Sequence, residues 1–237
     1  MEKNTAIFPI SVFSKPMNRK VLTEQDVKRL LPGSPCYVEA GTILTPLARE
    51  IADDRQNTII VCANGEELAS LKAYNRRIAL GADPTGWTLK EQLKPFLQDD
   101  GYLVLDCGSH HELVDYPEVA LQVATLLKTG KAHLGIMIDA AGIGSCMVAN
   151  KVPGIRAANC YDRLTALNSR EQNDANLLTL GGELISFDLA TSIVSTWLNT
   201  PFAGGPQQKR ISRIEEVEQQ FLQATIVALP GDSTCAL

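Results

Sequence analysis

From Arg77 onward, short apolar runs alternate with stretches of helical period. RIALGAD, YLVLDCG, AHLGIMID, RAANCYD and ANLLTLGG read as buried strands. Trp87 to Gln98, Tyr116 to Lys128, a helix opening at Gly144, Arg163 to Gln172, and Leu189 to Leu198 carry apolar residues at three- and four-residue spacing. Five apolar strands separated by helices predict a parallel sheet covered on both faces, because parallel strands need crossover helices. Right-handed crossovers make it a doubly wound, Rossmann-like α/β sheet. PQQKRISRIEEVEQQFLQ, from Pro206, follows as a charged amphipathic helix.

Upstream the pattern is less regular. Residues 1 to 20 show no period and predict an irregular arm. VLTEQDVKRLL from Val21 predicts a helix with Thr23 as cap, and CYVEAG a short strand. TILTPLAREIADDR predicts a helix with Thr45 at the N-cap and Pro46 at the first helical position. NTIIVCANG is a buried strand, and LASLKAYNRR a bridge to the regular part. The expected organisation is a small N-terminal α/β extension over 1–75, a main domain over 76–216 and a tail over 217–237.

Composition narrows the class. The chain has 237 residues, 45% of them apolar and 21% charged, with a formal net charge of −5. That is enough chain for a substantial core, and an acidic balance argues against nucleic acid or an anionic membrane as partner. No run approaches the roughly 20 apolar residues of a membrane span, and the first residues lack the pattern of a secretory leader. Six cysteines include no C-x-x-C pair, which suits a reducing cytoplasm. His110, His111 and His133 have no metal-ligand spacing, so no metal is expected.

In doubly wound sheets ligands bind at the carboxyl ends of the strands. Attention therefore falls on Asp83, on Asp139 and on the segment after Cys160. Asp139 closes an apolar strand and opens the turn Gly142-Ile143-Gly144-Ser145 at a helix start. Backbone N–H groups in such a turn can hold an anion or a developing oxyanion. The turn is not a Walker loop, since Lys151 lies too far on, and Met147 occupies the place of a small residue in a dinucleotide fingerprint. A tight turn without any ligand is the plain alternative.

The surrounding runs carry a resemblance. GIGSCMVANKVPGIRAANCYD, NSREQNDANLLTLGG and WLNTPFAGGPQQKRISRI, with GADPTGWTLKEQLKPFL and VDYPEVA upstream, resemble the ribose-5-phosphate isomerase B and galactose-6-phosphate isomerase family. The likeness runs from Arg77 to about Ile214. It implies aldose–ketose isomerisation of a small phosphorylated sugar through an enediolate, without metal or organic cofactor. It further implies a site between two subunits of a homodimer or higher homo-oligomer.

Carried over residue by residue, the resemblance makes Asp83, Tyr116 and Asn173 contacts to substrate hydroxyls and Arg210 the contact to phosphate. Gly142, Gly144 and Ser145 form the oxyanion cradle. Asp139 stands where the family has its catalytic cysteine, which makes it the candidate base; capping the turn is the alternative role. Pro84, Ala141, Gln172 and Pro206 replace, in turn, a histidine, a threonine that assists ring opening, the ring-opening histidine and a phosphate-binding arginine. Two readings follow: an isomerase for a substrate that is already open-chain, or a sugar-phosphate-binding or scaffold protein that has lost the reaction. Arg163 and Arg170 are candidate compensating cations, with solvated helix residues as the alternative, and His110 and His111 are loop residues near the DYP segment. Cys146 and Cys107 read as core packing rather than nucleophiles.

EAGTILTPLAREIADDR, chiefly Leu44 to Glu50, also resembles a segment of bacterial-microcompartment proteins such as the ethanolamine-type cobalamin adenosyltransferases. It implies a cytoplasmic protein held inside a microcompartment, with a shell or cargo protein as partner and residues 1 to 20 as an encapsulation arm. A small extension packed on the main domain is the plainer alternative.

Overall fold

The computed structural model describes residues 20–28, 30, 35–55, 57–108 and 114–227, with side chains to 222. Residues 1–19, nearly all of the expected encapsulation arm, lie outside these residues, as do His110 and His111.

The N-terminal part opens with β1 (Val21–Leu22) and α1 (Glu24–Lys28), followed by β2 (Cys36–Glu39), β3 (Ile43–Leu44), α2 (Pro46–Asp54), β4 (Ile59–Cys62) and α3 (Gly65–Tyr74). β1 pairs in parallel with β3, and β2 with β4. Val21 and Leu22 are thus strand rather than the start of a helix. Two β-branched and aliphatic residues pair with Ile43 and Leu44 before the Thr23 backbone and hydroxyl donate to Asp26 and start α1. Thr45 caps α2 as its position predicts, accepting from the Ala48 amide at 3.2 Å. α3 forms where only a bridge was expected. Asn64 caps it, accepting from the Glu67 amide at 2.8 Å, but none of its residues is fully buried, so it has no apolar stripe to read. Val27, Ala48 and Ala52 form the small core of this part.

The main domain alternates as predicted: β5 (Arg77–Ala82), α4 (Trp87–Asp99), β6 (Leu103–Cys107), α5 (Tyr116–Lys128), β7 (Leu134–Asp139), α6 (Ile143–Ala149), β8 (Ala157–Asn159), α7 (Arg163–Glu171), β9 (Leu177–Gly181), α8 (Phe187–Leu198) and α9 (Pro206–Val227). Its five strands are parallel, in the order β6-β5-β7-β9-β8. From β5 the chain moves outward to β6, then returns to the other side as β7. The order therefore reverses between β5 and β7, the position where ligands settle in such sheets. Strand alternation divides the core. Ile78, Leu80, Ile136, Ile138, Leu178 and Leu180 pack under α4, α7 and α8 with the fully buried Trp197. Ala79, Met137 and Leu177 face α5 and α6. α9 is continuous across residue 216, so the expected tail starts inside a helix.

The two parts meet at the amino ends of the strands. Tyr74 donates to the Ala132 carbonyl at 3.2 Å and stacks edge-on against His133. Arg76 donates to the Asp100 carbonyl at 2.8 Å and lies over the Tyr102 ring.

One charged group is taken fully inside. Lys90 has no exposed surface; its ammonium is 2.6 Å from Asp106, 3.2 Å from Glu91 and 4.0 Å from the Trp87 ring centroid. A buried ammonium persists only when paired. Asp106 also meets Lys94. Burial pushes the Asp106 carboxyl up, but the bonds and charges of Lys90 and Lys94 outweigh it and leave it below its ordinary value. A carboxyl lowered on folding stabilises the fold above its unfolded pKa of about 3.9 and stops doing so as pH falls through the folded value. Asp106→Asn is expected to cost about 3 kcal/mol at pH 7, because Lys90 loses its main counter-ion. Urea unfolding across pH should show that cost shrinking below about pH 4, as the wild-type carboxyl itself protonates.

Candidate active site

β5 and β7 end side by side. The Asp83 amide donates to the Ile138 carbonyl at 3.2 Å, which sets Asp83 beside the residue preceding Asp139. Both aspartates are buried, at 7% and 4% exposure, at the carboxyl edge where the strand order reverses.

Their carboxylates are used differently. Asp139 Oδ1 accepts from the amides of Ala141, at 2.9 Å, and Gly142. Oδ2 accepts from the Ser145 amide at 2.9 Å and the Ser145 hydroxyl at 2.6 Å. A carboxylate offers about four lone-pair sites, so as placed Asp139 has none left for a substrate. The amides expected to cradle an oxyanion are turned onto the chain's own anion, and Ser145 is fully buried beneath them. Asp83 accepts on Oδ1 only, from the Thr85 amide at 2.9 Å, the Thr85 hydroxyl at 2.6 Å and the Gly86 amide at 3.0 Å. Its Oδ2 takes no hydrogen bond from a described residue and is not shut away from solvent.

The turn needs its glycines. Gly142 has φ +76°, and a Cβ there would come within 2.5 Å of Asn159 Oδ1. A Cβ on Gly144 would come within 2.6 Å of the Tyr116 ring. Tyr116 therefore lies directly on the turn, at the start of α5, where Asp115 caps the helix.

Two residues that sequence reasoning passed over complete the turn. Asn159 Nδ2 and the Tyr161 hydroxyl both donate to the Ala141 carbonyl, at 3.2 and 3.0 Å. The signal was present, since Asn159 ends β8 and Tyr161 follows Cys160. No motif distinguishes them there.

The remaining candidates lie elsewhere. Asn173 is exposed in the α7–β9 connection, ahead of the amino end of β9, and borders a groove with Ile214 and Glu218 of α9. Arg210 is exposed on α9, donating to Gln207 at 2.7 Å. One strand length, about 16 Å for five residues, separates that end of the sheet from Asp139. Arg163 is exposed and donates to Thr196 at 3.2 Å, whereas Arg170 is half-buried in an ion pair with Asp174. Cys146 points at the Ala157 carbonyl, 3.4 Å away, and burial raises its pKa. Burial, followed by the charge of Asp106, pushes Cys107 up to about 11. Neither thiol is thus disposed to ionise. Among the described residues no group of histidine, cysteine and acidic side chains is arranged to hold a metal.

Two buried carboxylates, a glycine turn and the Tyr116 ring at the switch point define the class: a doubly wound α/β protein with polar groups gathered at the carboxyl edge of its sheet. The chain belongs to the Ribose/Galactose Isomerase family, whose model matches residues 78–214. It is 39% identical to the ribose-5-phosphate isomerase B of Listeria innocua over 145 residues, 61% of this chain and 98% of that one. Identity is also 39% to the D-erythrulose-4-phosphate isomerase of Pectobacterium atrosepticum, over 60% of this chain and 95% of the relative. The structure of Clostridium thermocellum ribose-5-phosphate isomerase B superposes with a TM-score of 0.60 at 45% identity, covering 61% of this chain and 99% of that one.

Asp139→Ala removes an acceptor from three amides, two of them buried, and from a buried hydroxyl. Unmet buried donors each cost about 1–3 kcal/mol, and water entering the space left by the side chain offsets part of that. A net loss of about 3 kcal/mol in denaturant unfolding is expected, larger than for Asp83→Ala, whose donors lie nearer the surface.

Proposed function

We propose that this protein interconverts an aldose and a ketose carrying a phosphate, through an enediolate, at the carboxyl edge of β5 and β7. The observation that carries this reading is the pair of aspartates beside the Tyr116-roofed turn, in a chain whose relatives at close to 40% identity are named sugar-phosphate isomerases. Proton transfer between neighbouring carbons needs a base with an open lone pair and polar support for the oxygens. Asp83 Oδ2 meets the first need, so we assign it the proton-shuttling role. Asp139 acts instead as the fixed anion that shapes the turn. Of its four donors only the Ser145 hydroxyl rotates without moving backbone, so a base role for Asp139 requires that hydroxyl to swing away first.

The substrate favoured is a four-carbon sugar 4-phosphate. With the oxygen on carbon four esterified, such a sugar has no hydroxyl to close a five-membered ring, and no ring-opening step is required. Pro84, Ala141 and Gln172 stand where the family resemblance implies ring-opening groups, and proline and alanine side chains cannot donate or accept a proton. The D-erythrulose-4-phosphate isomerase relative points the same way.

The site is completed by a second copy of the chain. Asn173 and Arg210 lie at the far end of the sheet from Asp83, so one copy cannot bring them to one ligand. α6 and α7 leave Ile143, Met147, Leu164 and Leu167 exposed, at 48%, 64%, 76% and 40%. We take these residues as the contact surface for the second copy.

Incubation with D-erythrulose 4-phosphate or D-ribose 5-phosphate in deuterated water tests the reaction. Deuterium is expected at carbon one or two of the tetrose phosphate, at a rate at least tenfold above the pentose phosphate. No incorporation into either sugar removes the catalytic reading and leaves a binding or scaffold protein. Asp83→Asn is expected to lower exchange by at least a hundredfold, in line with loss of a general base. Exchange retained in Asp83→Asn but lost in a folded Asp139→Asn would return the base to Asp139. Leu164→Glu is expected to shift the protein to monomer in light scattering and to lower turnover in proportion to the dimer lost.

A further inference from the structure

Asp174 is the only non-glycine residue at positive φ among the described residues, at +44°. Aspartate tolerates this region better than most residues, yet the conformation persists only where the surroundings hold it. Here both carboxylate oxygens are held: Oδ2 by Arg156 at 2.7 Å and Oδ1 by Arg170 at 3.1 Å. The same two arginines fix the backbone. Arg156 Nε donates to the Asp174 carbonyl at 2.9 Å, and Arg170 Nη1 to the Ala175 carbonyl at 2.6 Å. Neither arginine is loose. Arg170 is 12% exposed and lies over the Trp197 ring at 5.3 Å; Arg156 is 20% exposed.

The frame reaches α9. Arg156 comes within 3.9 Å of Glu215, and the Glu218 carboxylate accepts from the Gly154 amide at 3.0 and 3.1 Å. Asn176 closes it, accepting from the Arg156 amide at 2.8 Å and donating to the Gly154 carbonyl at 2.9 Å. Asn173 is thus next to a clamped residue, and Arg210 rides on a helix tied to the same clamp.

We propose that Asp174, gripped by Arg156 and Arg170, is a positioning residue that presents Asn173 and Arg210 as one rigid unit to the pocket of the second copy. It touches no substrate itself. The inference rests on the two-copy site described under Proposed function. Holding both donors in advance lowers the ordering cost of engaging the ligand, so the clamp acts on substrate capture rather than on proton transfer.

The test uses the full-length chain and whichever of the two sugar phosphates the wild type turns over. Asp174→Asn keeps a side chain suited to positive φ and removes the charge both arginines grip. It is expected to raise KM about tenfold and to leave kcat within about twofold, the pattern of lost uniform binding. In an Asn173→Ala background the same substitution is expected to raise KM by less than about threefold, because part of its route to the ligand is already gone. A KM unchanged in Asp174→Asn, a fall confined to kcat, or full additivity of the two substitutions overturns the clamp. A wild type that turns over neither sugar overturns the underlying reading and the clamp with it, which activity in the wild type distinguishes from failure of the clamp alone.

Discussion

The carboxylate of Asp139 lies inside the turn it opens, and much of the site is arranged around that fact. Three amides and a hydroxyl converge on it. Convergent N–H groups at a helix start repel one another unless an anion sits among them. In this chain the anion is covalently supplied. The turn is therefore set before any ligand arrives, and Tyr116 can rest on Gly144 and Asn159 on Gly142 without waiting for one. The same arrangement leaves those amides engaged by the chain itself, whereas Asp83 accepts hydrogen bonds on Oδ1 alone.

A second constraint is directional. All five strands of the main sheet run the same way, so every strand end with a carboxyl face lies on one edge and every αβ connection before a strand lies on the other. Asp83, Asp139 and Tyr116 occupy the first edge. Asn173 belongs to the second. No adjustment of loops within one copy brings them together, which is why the proposed reading calls on a second copy.

The main domain was legible because its three central strands are buried on both faces and its helices on one, and both facts leave a pattern in the sequence. The alternation from Arg77 to Leu198 follows directly. The N-terminal part was not legible in the same way. β1 and β3 are two residues long, too short to alternate, and α3 buries none of its residues fully, so neither left a pattern. At the site, strand-end reasoning located Asp83 and Asp139, while the resemblance supplied Tyr116. The orientation of the Asp139 carboxylate depends on which amides the turn presents, and that is set by φ +76° at Gly142 and by the depth of Ser145. Asn159 and Tyr161 were missed for a related reason: they bind a backbone carbonyl, and a carbonyl has no letter in the sequence.

The junction between α3 and β5 carries one more consequence. Only Asn75 and Arg76 separate the two elements, and the contacts of Tyr74 and Arg76 all fall on the amino edge of the sheet. The described part of the extension is therefore joined to the foot of the sheet at this point. A partner bound to that part would meet the edge of the sheet opposite to Asp83 and Asp139.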